Sequence, residues 1–182
     1  MKERSVNMFQ FNLVKKAQKG DEQAFLNLIH KEKEKLYRIA FTYVKNENDA
    51  LDIVQETIYK AYISINKVKE PSYFPTWITR ILINTALDYI KYKNKIIPIE
   101  QDTLEKIEST QKLDSSDKLD LLHAIHQMNE KYKTVLILRY YKDLSVKQIS
   151  EFLECPEGTV KTNIHRAINQ LKVLLKEECI NE

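Results

Sequence analysis

Apolar residues recur at three- and four-residue intervals along most of the chain and rarely alternate, which predicts helices throughout. The clearest stretch is residues 144–176. Val146, Ile149 and Leu153 mark one short helix. Pro156 then removes a backbone donor and biases Cys155 away from helical geometry. A second helix restarts near Glu157, with apolar side chains at Val160, Ile164, Ala167, Ile168, Leu171, Leu174 and Leu175. That spacing turns Lys161, Thr162, His165, Arg166, Asn169 and Lys172 outward. A short helix, a tight turn and a longer helix with cationic first turns suit the major groove of DNA. An ordinary helical hairpin with a hydrated face meets the same spacing.

The first half shows the same period. A short helix is expected near residues 12–18, ending at Gly20, and Asp21 can cap the next one. That second helix carries Ala24, Phe25, Leu28, Leu36, Ile39, Ala40 and Tyr43 on its apolar side, and the K-E-K-E-K run at 31–35 reads as a solvated face. Asn46 or Asn48 starts a third helix, with a buried stripe of Ile53, Val54, Ile58, Ala61, Tyr62 and Ile65. Its outward side gathers Asp49, Asp52, Gln55, Glu56 and Tyr59 at spacings of three and four. Paired carboxylates can serve acid–base chemistry or a metal, but no His stands at ligand spacing, and a hydrated helix face has the same pattern.

A loop at 66–73 leads into a fourth helix over 74–93. Trp77, Ile78, Ile81, Leu82 and Ile90 are its expected buried residues; Thr76, Arg80, Asn84, Asp88 and Lys91 form the opposite stripe. Arg80 and Lys91 can neutralise phosphates, and Asn84 can pair with a base edge. Tyr73, Phe74 and Trp77 offer flat surfaces for unpaired bases, although an aromatic on a helix is also an ordinary core residue.

Periodicity fades over 94–118, where polar residues and Pro98 accumulate as in a flexible tether. Two further helices follow. One is capped by Asp117 and carries Leu119, Leu122, Ile125 and Met128; the other spans about 130–141. Asp120, His123 and His126 lie at i, i+3 and i+6. Six residues turn a helix by about 600°, roughly 120° off the starting face, so a shared metal fits poorly. The expected fold is all-α: two small helical domains, 1–93 and 119–182, joined by the 94–118 linker.

Composition narrows the function classes. The 182 residues contain 2 Gly and 2 Cys, too few cysteines for a disulfide framework or a metal-ligand pattern. No apolar run of membrane-spanning length and no secretory apolar core is present, so a soluble, cytoplasmic protein is expected. The net charge of +3 is uneven. Residues 1–93 carry 16 basic against 11 acidic groups, a balance of +5; residues 94–118 carry 4 against 6, or −2; residues 119–182 carry 9 of each. Attraction to nucleic acid must therefore come from local faces.

Two motif blocks carry a resemblance to a known family. G-T-V-K-T-x-I-H-R-A at 158–167, preceded by Y-Y-K-D-L-S-V-K-Q-I-S at 140–150, resembles the −35 reading region of extracytoplasmic-function sigma factors, subunits of bacterial RNA polymerase that start transcription. D-A-L-D-I-V-Q-E-T-I-Y-K-A-Y at 49–62 resembles the segment of the same family that docks on the coiled coil of the polymerase β′ clamp. The likeness covers about residues 10–176, in the family's order.

The resemblance implies a set of roles. Asp49, Asp52, Gln55, Glu56 and Tyr59 would meet core polymerase. Lys69, Ser72, Tyr73, Phe74, Trp77, Arg80, Asn84, Asp88 and Lys91 would read and hold the −10 element, with the 67–73 loop cradling a flipped base. Lys161, Thr162 and His165 would face −35 bases and Arg166 a phosphate, while Thr159 would serve the helix start. It also implies contact with the polymerase β flap, an anti-sigma factor that is often membrane-bound, no cofactor and no catalysis. Two positions depart from the family: Asn163 stands where a basic residue is usual, and Glu154 where the turn often carries glycine. A self-sufficient helix-turn-helix regulator would not need the 49–62 surface. A metal-dependent enzyme on a helical bundle would be exposed by metal analysis, and a partner-binding protein without DNA function would not need the basic and aromatic groups.

Overall fold

Gly20 has φ of +92°, a left-handed backbone that glycine adopts without a steric penalty, and it separates the first two helices. In this computed structural model residues 2–96, 121 and 124–178 are described, with side chains over 10–95, 121 and 124–175. Helix α1, Lys2–Ala17, is longer than the 12–18 segment that its apolar residues mark. The Asp21 carboxylate accepts the Ala24 amide at 2.9 Å and starts α2, Glu22–Val44. Lys45, at φ 56°, closes α2, and the Asn46 side chain accepts the Asp49 amide at 3.0 Å to start α3, Glu47–Ser64. Two single 3₁₀ turns, Ile65–Lys67 and Pro71–Tyr73, lead into α4, Phe74–Ile96. Residues 94–96, expected in the linker, continue this helix.

The chain divides into two compact units, Met1–Tyr89 and Ile90–Glu182. In the first, Val14, Leu28, Leu36, Ile53, Ile78, Leu82 and Ile83 are almost fully buried. Two expectations are corrected. Glu32 is only 8% exposed, because it lies one turn from both Leu28 and Leu36; a run of five alternating charges spans more than one helical turn and must place one member on the apolar stripe. Lys35, at 3.9 Å, lies beside it. Tyr62, expected in the buried stripe of α3, is 46% exposed: its ring meets Phe25 edge to face at 5.2 Å, and its hydroxyl donates to Glu22 Oε1 at 3.4 Å.

In the second unit, residues 124–127 are helical, and Asn129 caps α5, Glu130–Leu136. The same helix then widens into a π-helix, Ile137–Tyr141, where the Lys142 amide donates to the Ile137 carbonyl five residues back. Helices α6, Val146–Leu153, and α7, Glu157–Glu178, follow. Met128, Val135, Leu136 and Ala167 form the core, with Ile125, Tyr132, Leu153, Ile164 and Leu171 packed around them. Asp117, Leu119, Asp120, Leu122 and His123, together with most of the expected linker, lie outside the described residues. Among the described residues there is no strand and no cluster of metal-ligating side chains.

Candidate functional surfaces

The first surface is the polar side of α3. Asp52, Gln55 and Glu56 are exposed, and Tyr59 is 60% exposed, so four of the five grouped residues stand in solvent. Asp49 is half-buried and turned toward α4, where its carboxylate takes a hydrogen bond from the Tyr89 phenol. Burial, that bond and the charges of Asp49 and Asp52 push the Tyr89 hydroxyl up to about 12. The Lys60 ammonium pairs with Glu56 Oε1 at 3.4 Å and donates to Thr85 Oγ1 on α4 at 3.2 Å. Leu51, Tyr62 and Ile63 add exposed apolar area around the carboxylates. Such a mixture of acidic and apolar groups suits a basic protein partner, because charges set register while apolar contacts add affinity.

The second surface is the 3₁₀ turns and the outer stripe of α4. Lys69, Ser72 and Tyr73 are exposed, with Tyr73 at 55%. The Ser72 amide and hydroxyl donate to Glu70 Oε1, at 3.4 and 3.1 Å, so the serine is already engaged in shaping its own turn. Asn84, Asp88 and Lys91 are exposed and Arg80 is half-buried, all on one stripe. Phe74 requires a correction. It is 1% exposed, a core side chain that presents no face to a base, whereas its neighbour Tyr73 turns outward. Trp77 is half-buried, its ring tilted 40° against Phe74 at 5.9 Å. Burial therefore divides between neighbours: Phe74 inside, Tyr73 outside, Trp77 at the boundary.

The sequence reading missed what fixes this loop. Gln18 Nε2 donates to the carbonyls of Val68 at 2.8 Å and Ile65 at 3.3 Å, and Gln10 Nε2 donates to Pro71 O at 3.5 Å. Gln10 of α1 and Gln18, just past its end, thus satisfy loop carbonyls more than forty-five residues away. Glutamine is common on helix surfaces and partners at that separation leave no periodic trace, so no sequence signal marked them.

The third surface belongs to α6 and α7. Ser145 and Gln148 make a reciprocal capping box, at 3.2 and 2.8 Å, that sets where α6 begins. Glu154 takes the left-handed conformation, φ 53° and ψ 43°, and so supplies with a side-chain-bearing residue the geometry for which glycine is favoured. The Cys155 amide donates to Ser150 O at 3.1 Å, and Ser150 Oγ donates to Cys155 O at 2.6 Å, which ties the turn shut. Pro156 O then accepts the Thr159 and Val160 amides at the start of α7. Lys161, Thr162, His165 and Arg166 are all exposed, as is Thr159. Thr162 Oγ1 donates to Gly158 O at 2.9 Å, and Asn169 Nδ2 lies 3.3 Å from His165 Nδ1. Asn163 is 4% exposed and lies among Val160 and Ala167 on the buried side, so the missing basic group there has no bearing on phosphate contact.

Two family models match the chain, one in each half. Residues 28–96 match the family described as Sigma-70 region 2, and residues 118–171 match Sigma-70, region 4. The RNA polymerase sigma factor SigV of Bacillus subtilis is 39% identical over 146 residues, 80% of this chain and 87% of the relative. The ECF RNA polymerase sigma factor SigW of the same organism is 31% identical over 90% of this chain and 95% of its own length. The ECF RNA polymerase sigma-E factor of Haemophilus influenzae is 34% identical over 85% and 89% of the two chains. Among solved structures, CnrH in complex with the cytosolic domain of CnrY superposes with a TM-score of 0.67 at 20% identity, over 93% of this chain and 98% of that one. The sigma factor RpoE of Bartonella quintana, co-crystallised with the anti-sigma factor NepR, gives 0.67 at 22% identity over 84% and 96%. Both share the fold.

Proposed function

Because the chain belongs to the extracytoplasmic-function group of the sigma-70 family, we propose a task for each of its three polar surfaces. As a sigma factor it binds core RNA polymerase, recognises −35 and −10 promoter elements and initiates transcription. The α3 face of Asp49, Asp52, Gln55, Glu56 and Tyr59 docks on the β′ clamp, where basic partner groups meet the carboxylates. Tyr73, Trp77, Arg80, Asn84, Asp88 and Lys91, with Lys69 and Ser72 at the loop, hold the −10 element. Tyr73 and the outer edge of Trp77 take over the stacking role that buried Phe74 is unable to fill. On α7, Lys161, Thr162 and His165 meet base edges and Arg166 a phosphate, with Thr159 at the helix start.

The protein carries out no covalent chemistry in this scheme; strand opening draws on binding free energy, and flipping a base costs a few kcal/mol that stacking and hydrogen bonds must offset. It works in the cytoplasm, where polymerase is, and among the described residues no helix is long and apolar enough to cross a membrane. Two structural relatives are held by CnrY and by the anti-sigma factor NepR, which supports an anti-sigma partner here, with the β flap as a second polymerase contact.

The observation that carries the docking assignment is the exposure of Asp52, Gln55, Glu56 and Tyr59 on one side of α3 within the region 2 match. Charge reversal at Asp52→Lys with Glu56→Lys tests it. Both side chains are exposed, so the helical circular dichroism should stay intact while binding to core polymerase falls by at least tenfold in a pull-down or titration. Normal polymerase capture by the folded double variant would sink the assignment.

A further inference from the structure

Helices α3 and α4 are fastened by two polar links one helical turn apart. Tyr89 on α4 donates to the Asp49 carboxylate near the start of α3. Four residues earlier, Thr85 Oγ1 accepts from Lys60 Nζ at 3.2 Å, and the same ammonium stands 3.4 Å from Glu56 Oε1. Thr85 is buried and Tyr89 half-buried, whereas the neighbouring Asn84 and Asp88 are exposed on the stripe assigned to DNA. The two links thus reach acidic residues assigned to docking from a helix that is itself outside the docking face.

We propose that Tyr89 and Thr85 are positioning residues for polymerase docking: from successive turns of α4 they hold the Asp49 carboxylate and, through Lys60, the Glu56 carboxylate in place before the partner arrives. A carboxylate alone on a helix surface samples several rotamers, and a partner that needs one of them must bear the ordering cost at binding. A phenol hydrogen bond removes that cost beforehand while leaving other lone pairs of the carboxylate open to a cationic group. Lys60 acts at the other end, where a half-exposed ammonium keeps Glu56 aligned along α3. This inference rests on the docking assignment made above.

A double-mutant cycle on the full-length protein tests it, with the affinity for core RNA polymerase and the thermal midpoint measured for every variant. Tyr89→Phe keeps the ring and removes only the hydroxyl. It is expected to weaken core binding roughly three- to tenfold in the parent and to have no further effect on top of Asp49→Asn. Thr85→Val keeps the volume and should behave in the same way relative to Glu56→Gln. A purely structural role would lower the thermal midpoint and weaken binding by the same factor with or without the carboxylate; that additive result, or unchanged affinity in Tyr89→Phe, would overturn the proposal. The control is the Asp52→Lys, Glu56→Lys variant. If it binds polymerase normally, the docking assignment itself has failed; if it fails to bind while both cycles are additive, only the positioning role is lost.

Discussion

Glu154 holds φ at 53° with a full side chain, in a region that costs an L-residue roughly 1–2 kcal/mol relative to ordinary helical backbone. Glycine would relieve that cost and give back part of it through a freer unfolded chain. Glu154→Gly should therefore stabilise the C-terminal unit by about 0.5–1 kcal/mol, read as a rise in its thermal midpoint; no change or a fall would mean that the left-handed turn is not retained in solution. Lys161 is exposed in the first turns of α7 and has no role in the core. Replacing it with alanine should leave stability within about 0.5 kcal/mol and erase preference at one −35 position, a loss of about 1–3 kcal/mol in discrimination. Promoter selection on a randomised −35 library measures this, and an unaltered profile would take Lys161 out of the base-facing set. At this scale the sequence misleads where packing decides a side chain's direction. Phe74 and Tyr73 are adjacent aromatics of similar size, and one is 1% exposed while the other is 55% exposed.

Elements were legible where a local rule sufficed. Asp21, and Asn46 of the pair Asn46 and Asn48, are short polar side chains ahead of an apolar period and cap helices; Ser145, not picked out in the sequence, obeys the same rule. Removing the Ser145 hydroxyl breaks one half of a reciprocal pair, so Ser145→Ala should cost about 1 kcal/mol of stability in the C-terminal unit and fray the start of α6. Amide exchange at Gln148, whose N–H donates to that hydroxyl, would rise first; unchanged protection there would argue against the cap. The limits of the α7 apolar stripe were also readable, since Val160 and Ala167 are fully buried at the expected spacing. Less legible were features that no period encodes. The ties from Gln18 to Ile65 and Val68 span 47 and 50 residues, and no local rule marks the widening of α5 at Ile137.

At the scale of the molecule, two compact units each carry their own core, and the sequence matches fall one on each side of the segment at 97–117. The two motif blocks were readable because most of the residues proposed to meet partners are exposed and are not fixed by packing. The bond between Tyr89 and Asp49 was not, since it joins two helices forty positions apart. Dividing the promoter between two units gives a separable outcome. Asn84→Ala, on the outer stripe of α4, should depress transcription from templates that depend on the −10 element by at least fivefold while leaving −35 affinity unchanged. Footprints and abortive initiation on matched promoters would show this, and equal damage at both elements would contradict the division.

The π-helix at Ile137–Tyr141 has a consequence for editing the chain. Its carbonyl-to-amide spacing of five residues absorbs one position more than a regular turn, so the last side chains of this helix, up to its end at Tyr141, are turned by about 100° from where a regular helix would put them. Deleting one residue there would not shorten a loop. It would swing Leu144, together with the Arg139 guanidinium that donates to its carbonyl at 2.9 Å, out of phase with the interior. A deletion scan should find this five-residue window less forgiving than the polar turn that follows it.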